Sequence, residues 1–533
     1  MKRIKRIASL LLAMVMVLGM TLTVFATEGE EVTPPGEITE SAETYKITIN
    51  NTVAGHTYEA YQIFAGTLYE DETGRKTLSN IVWGIGITDD GKTELGDAAA
   101  KAKELETADA AAVAAFAQTV GEYLATTSGS ATVEADEENV AYEITDLAPG
   151  YYLIKDQDNS LTGNDSYTTF ILEVVGDAEA TPKNSGTPEP DKSVKDKNDT
   201  EGETTDWQDS ADYDIGDEIE FELKATLPGT VTAYDKYKLV FHDTLSAGLD
   251  YVADSAVVKL DGTEINSGYK VEYAETPEKK LTITFEDAKA AGATNSSVIT
   301  VEYRAVLNEN AVIGAAGNKN ELTLEYSNNP NNTGEGEPTG TTPPVVAVVF
   351  TFETVVNKVQ PGDTEGTTKP LAGAEFTLQK FVKGEDGNGT WVDCVTADIT
   401  GDEKNIFSFK GLDDGWYRLT ESVVPNGFNK IDDIYFKVSA VHDETAASGS
   451  TAALKSLTVV ATDKDGKELT GENKTEFTVT LNNGNITTDV LNQKGSVLPS
   501  TGGIGTTIFY IVGGILVVGA GVLLVTKKRM SAR

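Results

Sequence analysis

Cysteine is almost absent. The 533 residues contain one, Cys394, so no intrachain disulfide is possible and any covalent staple must have another chemistry. Cys394 lies in Trp391-Val392-Asp393-Cys394-Val395, a strand-like stretch with no histidine nearby, and reads as a small apolar residue in a sheet. Histidine is nearly as scarce. His56, His242 and His442 stand far apart in unrelated contexts, so no metal-ligand spacing occurs. Neither a glycine-rich phosphate loop nor a serine elbow is present. Turnover of a separate substrate, a cofactor and a bound metal are therefore not expected. Basic charge is also short, with 43 Lys and Arg against 84 Asp and Glu, a net charge of −41. Such a chain repels phosphate backbones and anionic lipid surfaces, which excludes nucleic acid as a partner. The acid reads as a solubilising surface.

What is there is concentrated first at the two ends. Lys2, Arg3, Lys5 and Arg6 precede a largely apolar run from Ile7 to Phe25 and the small-residue site Val24-Phe25-Ala26. Residues 1–26 are a predicted secretory signal peptide, and the mature chain is expected to begin near Thr27. At the other end, Leu498-Pro499-Ser500-Thr501-Gly502 is followed by an apolar run and by Lys527-Lys528-Arg529. The run, predicted to span at 506–526, has the ~20 residues a membrane helix needs. The basic cluster holds the C-terminus on the cytoplasmic side. This tail (498–533) resembles the cell-wall sorting signal of Gram-positive surface proteins, Leu-Pro-any-Thr-Gly. The resemblance implies that a sortase cuts between Thr501 and Gly502, holds Thr501 as a thioester and passes it to an amine. An ordinary single-pass anchor is the alternative.

Between the ends, short alternating runs rich in Thr, Val and Tyr recur between Gly, Asn, Asp and Pro turns, the pattern of antiparallel β-sandwiches. The fold class is mostly β, in about three domains on length. One stretch differs: Thr93 to about Thr126 is Ala-rich with helical spacing, which predicts one or two helices inside the first domain. The turn-rich segments Asn184–Pro190 and Asn328–Pro344 mark linkers. The expected boundaries are 43–183, 188–350 and 351–496.

Strand alternation places charged groups on apolar faces. Residues i, i+2 and i+4 of a strand share a face. Asn320 thereby joins Leu322, Leu324 and Tyr326; Asp243 joins Leu239, Phe241 and Leu245; Lys192 joins Val194. Later in the chain Lys358 joins Phe352 and Val356, Glu421 joins Tyr417 and Leu419, and Asn492 follows Val490 by two. Burying a lone ammonium or carboxylate is costly, so such groups shift toward their neutral forms. A neutral lysine is a nucleophile, and a protonated acid polarises an amide. Held in contact, amine and carboxamide can condense to an isopeptide bond with loss of ammonia, at effective molarities that reach ~10⁵ M or more. Alternation alone leaves an ordinary salt bridge open for each set.

At these residues the chain resembles a major, or backbone, pilin of sortase-assembled Gram-positive pili. Gly317–Asn320 through Tyr326–Pro330, and Phe241-His242-Asp243-Thr244-Leu245, resemble a fimbrial isopeptide-forming domain. Pro370–Phe376 and Tyr417-Arg418-Leu419-Thr420-Glu421 resemble a collagen-adhesin B-type domain. The resemblance implies tandem immunoglobulin-like sandwiches, with bonds Lys192–Asn320 assisted by Asp243 and Lys358–Asn492 assisted by Glu421. Pilins of this kind also offer sortase a lysine in a Tyr-Pro-Lys-Asn motif. The matching stretch here is Thr181-Pro182-Lys183-Asn184, with threonine in place of the tyrosine; Lys192 and Lys195 compete with Lys183 as acceptor. Implied partners are sortase, identical subunits, minor pilins, peptidoglycan and a host surface ligand. A monomeric wall-anchored adhesin of the same domain type is the alternative function.

Overall fold

The computed structural model describes residues 44–50, 52–70, 76–134, 140–158, 160–161, 166–168, 171–174, 178–180, 186–331, 336–384, 386–445, 453–471, 474–496 and 504–530. The predicted signal peptide, Lys183 and the Leu498–Gly502 motif lie outside these residues.

The chain is mostly β. In the first unit, Tyr45–Ile49 pairs antiparallel with Tyr142–Leu147 and parallel with Ala178–Ala180. A second sheet orders Lys76–Trp83, Thr57–Glu70, Gly150–Asp156 and Ile171–Val174, with Gly129–Thr132 also on Thr57–Glu70. The helical insertion is three helices, Asp89–Leu95, Ala98–Glu106 and Ala110–Gly121, where sequence periodicity suggested one or two. The extra break is capping chemistry: Asp97 and Asp109 each accept a backbone N–H three residues on, at 2.8 and 2.9 Å, and so restart the helix.

The second unit is a sandwich. One sheet orders Ser210–Asp212, Val345–Phe350, Asn318–Ser327, Leu239–Leu245, Lys279–Phe285 and Lys270–Ala274. The other orders Thr263–Glu264, Val257–Leu260, Val298–Leu307, Glu218–Thr226 and Glu189–Val194. Their facing rows, among them Phe221, Phe241, Ile283, Val301 and Leu324, are fully buried. In the third unit Phe352–Pro361, its first strand, pairs parallel with Asn485–Leu491, its last, with Lys358 opposite Val490. The facing sheet holds Glu375–Lys383, Gly415–Val423 and Ile434–His442. Cys394 is partly buried against this core, and burial pushes its thiol well up. At the C-terminus a single helix runs Ile504–Met530, of which Ile508–Met530 is apolar and long enough to cross a membrane; it extends a few residues beyond the expected 506–526 because the basic cluster Lys527–Arg529 continues it.

The second and third units meet through buried charge. A hairpin of the second unit, Lys197–Asn198 and Glu203–Thr204, lies against the third: Thr200 Oγ1 donates to the Phe381 carbonyl at 2.9 Å and accepts from Trp416 N at 3.0 Å. Lys380, 3% exposed, reaches Asp214 at 2.9 Å, Asp199 at 3.5 Å and Asp413. His442 lies 3.3 Å from both Asp196 and Asp212. Asp414 N donates to Asp212 Oδ2 at 2.6 Å, and Asn198 donates to Asp414 Oδ1 at 2.6 Å.

These groups make the seam sensitive to pH. Burial alone would lower the His442 imidazole, but the hydrogen bonds to Asp196 and Asp212 outweigh it and raise it to about 10. Burial, then the neighbouring acids, raise Asp414 to about 7 and also raise Asp217, which lies beside Asp199, Asp214 and Asp413, to about 6. A carboxyl raised on folding loses stability as pH climbs from the ordinary value of 3.8 to the folded one. A raised histidine is fully stabilising below 6.5 and loses its contribution as pH passes about 10. The contact is therefore expected to weaken in two steps, between about pH 4 and 7 and again toward 10. Urea unfolding across this range measures it; His442→Gln should abolish the upper step only.

Candidate functional site

Two clusters of buried ionisable and amide side chains sit in the cores of the second and third units. Strand alternation positions each. In Asn318–Ser327 the even-numbered positions face inward, so Asn320, Leu322, Leu324 and Tyr326 are all fully buried while Glu321 is exposed. Asp243 is buried among Leu239, Phe241 and Leu245, and Lys192 is 2% exposed at the edge of the opposite sheet.

In the second unit Lys192 Nζ donates to Asp243 Oδ1 at 2.5 Å and lies 5.3 Å from the Phe221 ring centre and 5.6 Å from that of Tyr303. The Tyr303 hydroxyl donates to Asp243 Oδ2 at 2.5 Å and accepts from Asn320 Nδ2 at 2.5 Å. Asn320 Oδ1 is buried without a hydrogen-bond partner among the described residues. Lysine and tyrosine come from one sheet, acid and asparagine from the other, so the cluster spans the sandwich. Burial lowers the Lys192 ammonium from its ordinary value, against the pull of Asp243, and raises Asp243 and Tyr303. Each shift favours the uncharged form.

The third unit builds its cluster differently. Lys358 and Asn492 lie at neighbouring positions of the parallel strand pair, and Lys358 Nζ donates to Asn492 Oδ1. Glu421 reaches across from the facing sheet: its Oε1 accepts from Asn492 Nδ2 at 2.8 Å and lies 3.0 Å from Lys358 Nζ. Its Oε2 accepts from Ile431 N at 3.3 Å, which fixes the carboxylate. All three side chains are at most 1% exposed, and burial lowers the Lys358 ammonium. An unprotonated amine in contact with a carboxamide is chemically able to attack its carbonyl carbon, with the adjacent acid moving the protons.

Each set of three side chains singled out from the sequence is thus brought together. Lys195, the rival sortase acceptor, is 2.6 Å from Glu220 and lies over Trp207 at 4.6 Å. Sequence reasoning missed Tyr303, which sits in the inward row Ile299, Val301, Tyr303, Ala305 and looks there like ordinary core. It also missed a buried cluster in the first unit. His56 Nδ1 lies 2.7 Å from Asp156 Oδ1, and Asp156 Oδ2 accepts from Thr168 N at 2.6 Å. This cluster borders the second unit, where Tyr167 N donates to the Asn328 carbonyl at 2.7 Å.

Three parts of the chain match known family models. Residues 215–330 match the family model for Gram-positive pilin backbone subunit 2, Cna-B-like domain. Residues 357–452 match a prealbumin-like fold domain, and residues 491–531 the LPXTG cell wall anchor motif. The chain is 23% identical over 371 residues to the trypsin-resistant surface T6 protein of Streptococcus pyogenes serotype M6, an alignment covering 59% of this chain and 65% of that protein. It therefore spans just under two thirds of that relative. Among solved structures it is similar in fold to the T6 backbone pilin of serotype M6 Streptococcus pyogenes, at a TM-score of 0.52 and 16% identity, covering 85% of this chain and 99% of that one. The full-length major pilin SpaD of Corynebacterium diphtheriae superposes with a TM-score of 0.46 at 16% identity, covering 85% and 98%.

Proposed function

We propose that this chain, which belongs to the Gram-positive backbone pilins and carries an LPXTG cell-wall anchor, is the repeating unit of a covalently polymerised surface fibre. Sortase cuts after Thr501, and the released acyl group passes to Lys183 of the next subunit. The last acceptor is peptidoglycan. Before sorting, the C-terminal helix holds the chain in the membrane. Within each subunit, Lys192 condenses with Asn320 and Lys358 with Asn492, Asp243 and Glu421 serving as the assisting acids.

The observation that carries this reading is that both matched sandwich units bury a lysine, an acid and an asparagine in mutual contact or linked through one hydroxyl. A surface protein without disulfides gains in this way a staple between early and late strands. Each bond closes a long loop, 320 − 192 = 128 and 492 − 358 = 134 residues. On the loop-entropy model for cross-links, each stabilises by about 5 kcal/mol. Under tension the load then runs through covalent bonds rather than sheet hydrogen bonds.

Polymerisation is tested by expressing the chain with a cognate sortase. A ladder of high-mass species resistant to boiling in detergent is expected. Lys183→Ala should abolish it while leaving the internal bonds intact. A ladder that persists in this variant would reassign the acceptor to Lys195 or another lysine, and no ladder from the unmutated chain would favour a monomeric wall-anchored adhesin.

A further inference from the structure

The two clusters differ in how the acid reaches the amide. In the third unit Glu421 touches Asn492 Nδ2 directly. In the second, Asp243 pairs across the ladder with Leu322, and Asn320 pairs with Leu245. Asp243 and Asn320 are thus diagonal neighbours on one face, a separation of ~7–8 Å that suits long or aromatic side chains and not an aspartate. Tyr303, arriving from the opposite sheet, fills the gap, with its hydroxyl 2.5 Å from each.

We propose that Tyr303 is a fourth catalytic residue of the second cluster, its hydroxyl relaying the acid's proton to the departing nitrogen of Asn320. This rests on the cross-linking reading of Lys192 and Asn320. In the starting state the lysine is an amine and Asp243 carries its proton on Oδ2. The Nζ lone pair forms a bond to Asn320 Cγ, and one Nζ proton passes to Asp243 Oδ1. The Oδ2 proton moves to the Tyr303 oxygen, whose own proton moves to the amide nitrogen. That nitrogen, now tetrahedral and basic, leaves as ammonia when the C–N bond breaks. Acid and phenol are both regenerated. A planar amide nitrogen donates to the phenol, as seen here, and a tetrahedral one accepts from it. The same contact therefore serves both stages, with only the hydroxyl hydrogen turning. The shifts of Asp243 and Lys192 toward neutrality supply the required starting state. The third cluster needs no relay, because Glu421 comes from the facing sheet and bonds Asn492 Nδ2 directly at 2.8 Å.

The test follows both bonds in the same molecule. The full-length chain is synthesised cell-free into detergent micelles, quenched at intervals and peptide-mapped by mass spectrometry. In Tyr303→Phe the Lys192–Asn320 bond is expected to form at least ~100-fold more slowly, the usual scale of a lost proton-transfer group. The Lys358–Asn492 bond should form at the unmutated rate and serves as the internal clock. Formation of both bonds at unmutated rates in Tyr303→Phe overturns the relay. The cross-linking reading itself is tested by Asp243→Ala and by the unmutated chain. If the unmutated chain lacks the Lys192–Asn320 bond, or Asp243→Ala forms it normally, that reading falls and the relay with it. Should Tyr303→Phe fail to fold, the unmutated chain decides through the solvent deuterium effect. Bond formation in the second unit should slow more in heavy water than in the third, since an extra proton is in flight; equal slowing overturns the relay.

Discussion

Replacing Glu421 with alanine is expected to leave the third unit without its cross-link and to lower its melting temperature by roughly 30–40 °C. Two losses combine. The proposed Lys358–Asn492 bond, which would close a 134-residue loop, is worth about 5 kcal/mol in the loop-entropy model. Glu421 is also the only acid bonded to Asn492 and Lys358 among the described residues, and its removal strands a buried amine, with a cost on the scale of a few kcal/mol for a broken buried pair. For a unit of this size each kcal/mol moves the midpoint by about 4 °C. Scanning calorimetry measures the shift, and peptide mapping should recover the Lys358 and Asn492 peptides unlinked. Glu421→Gln separates chemistry from packing. The amide preserves shape but cannot shuttle protons, so the bond should still be missing while less of the packing contribution is lost. A Glu421→Gln chain with a normal bond would remove the acid from the mechanism.

The second large effect is expected at the seam. Lys380→Met removes the ammonium that faces Asp199, Asp214 and Asp413 inside the contact between the second and third units. Burial works against the Lys380 charge, but the three carboxylates outweigh it and hold its pKa well above the usual lysine range. Leaving those acids without a cation costs on the order of 3–5 kcal/mol. The proposed internal bonds involve none of these residues, so the mass of the chain should show the same ammonia losses as before. The expected result is a chain still cross-linked within its units but hinged between them: a larger radius of gyration in small-angle scattering, and faster proteolysis at the Lys197–Thr204 hairpin. Unchanged scattering would mean that the backbone contacts, such as Ile215 N to the Gly411 carbonyl at 2.9 Å, hold the seam alone.

The contrast between Lys380 and the two lysines of the core clusters explains what was legible in the sequence. Alternation placed Lys192, Asp243, Asn320, Lys358, Glu421 and Asn492 inward because these strands keep a regular pleat. Lys380 carries the same signal, following Phe376 and Leu378 by twos. Parity reports burial and not the partner, and the partners of Lys380 come largely from another unit. The Asp196–Asp212–His442 cluster was hidden for the same reason, its histidine lying more than two hundred residues beyond the two aspartates along the chain. Tyr303 was invisible because a tyrosine in an apolar row needs no special explanation until its hydroxyl is seen between an acid and an amide. The mostly β architecture and the apolar C-terminal helix were readable from strand periodicity, turn residues and hydropathy. The number of inserted helices was not, since it depended on two aspartates acting as caps inside an otherwise continuous alanine-rich pattern.

The proposed condensation of two lysine amines with two carboxamides inside the folded chain leaves its mark on the mass of the molecule. Intact-mass measurement of the unmutated protein, followed by peptide mapping, reads it directly. The expected mass is short by two ammonia molecules, with the Lys192 peptide joined to that of Asn320 and the Lys358 peptide joined to that of Asn492. A chain of full theoretical mass, yielding all four peptides separately, would contradict it.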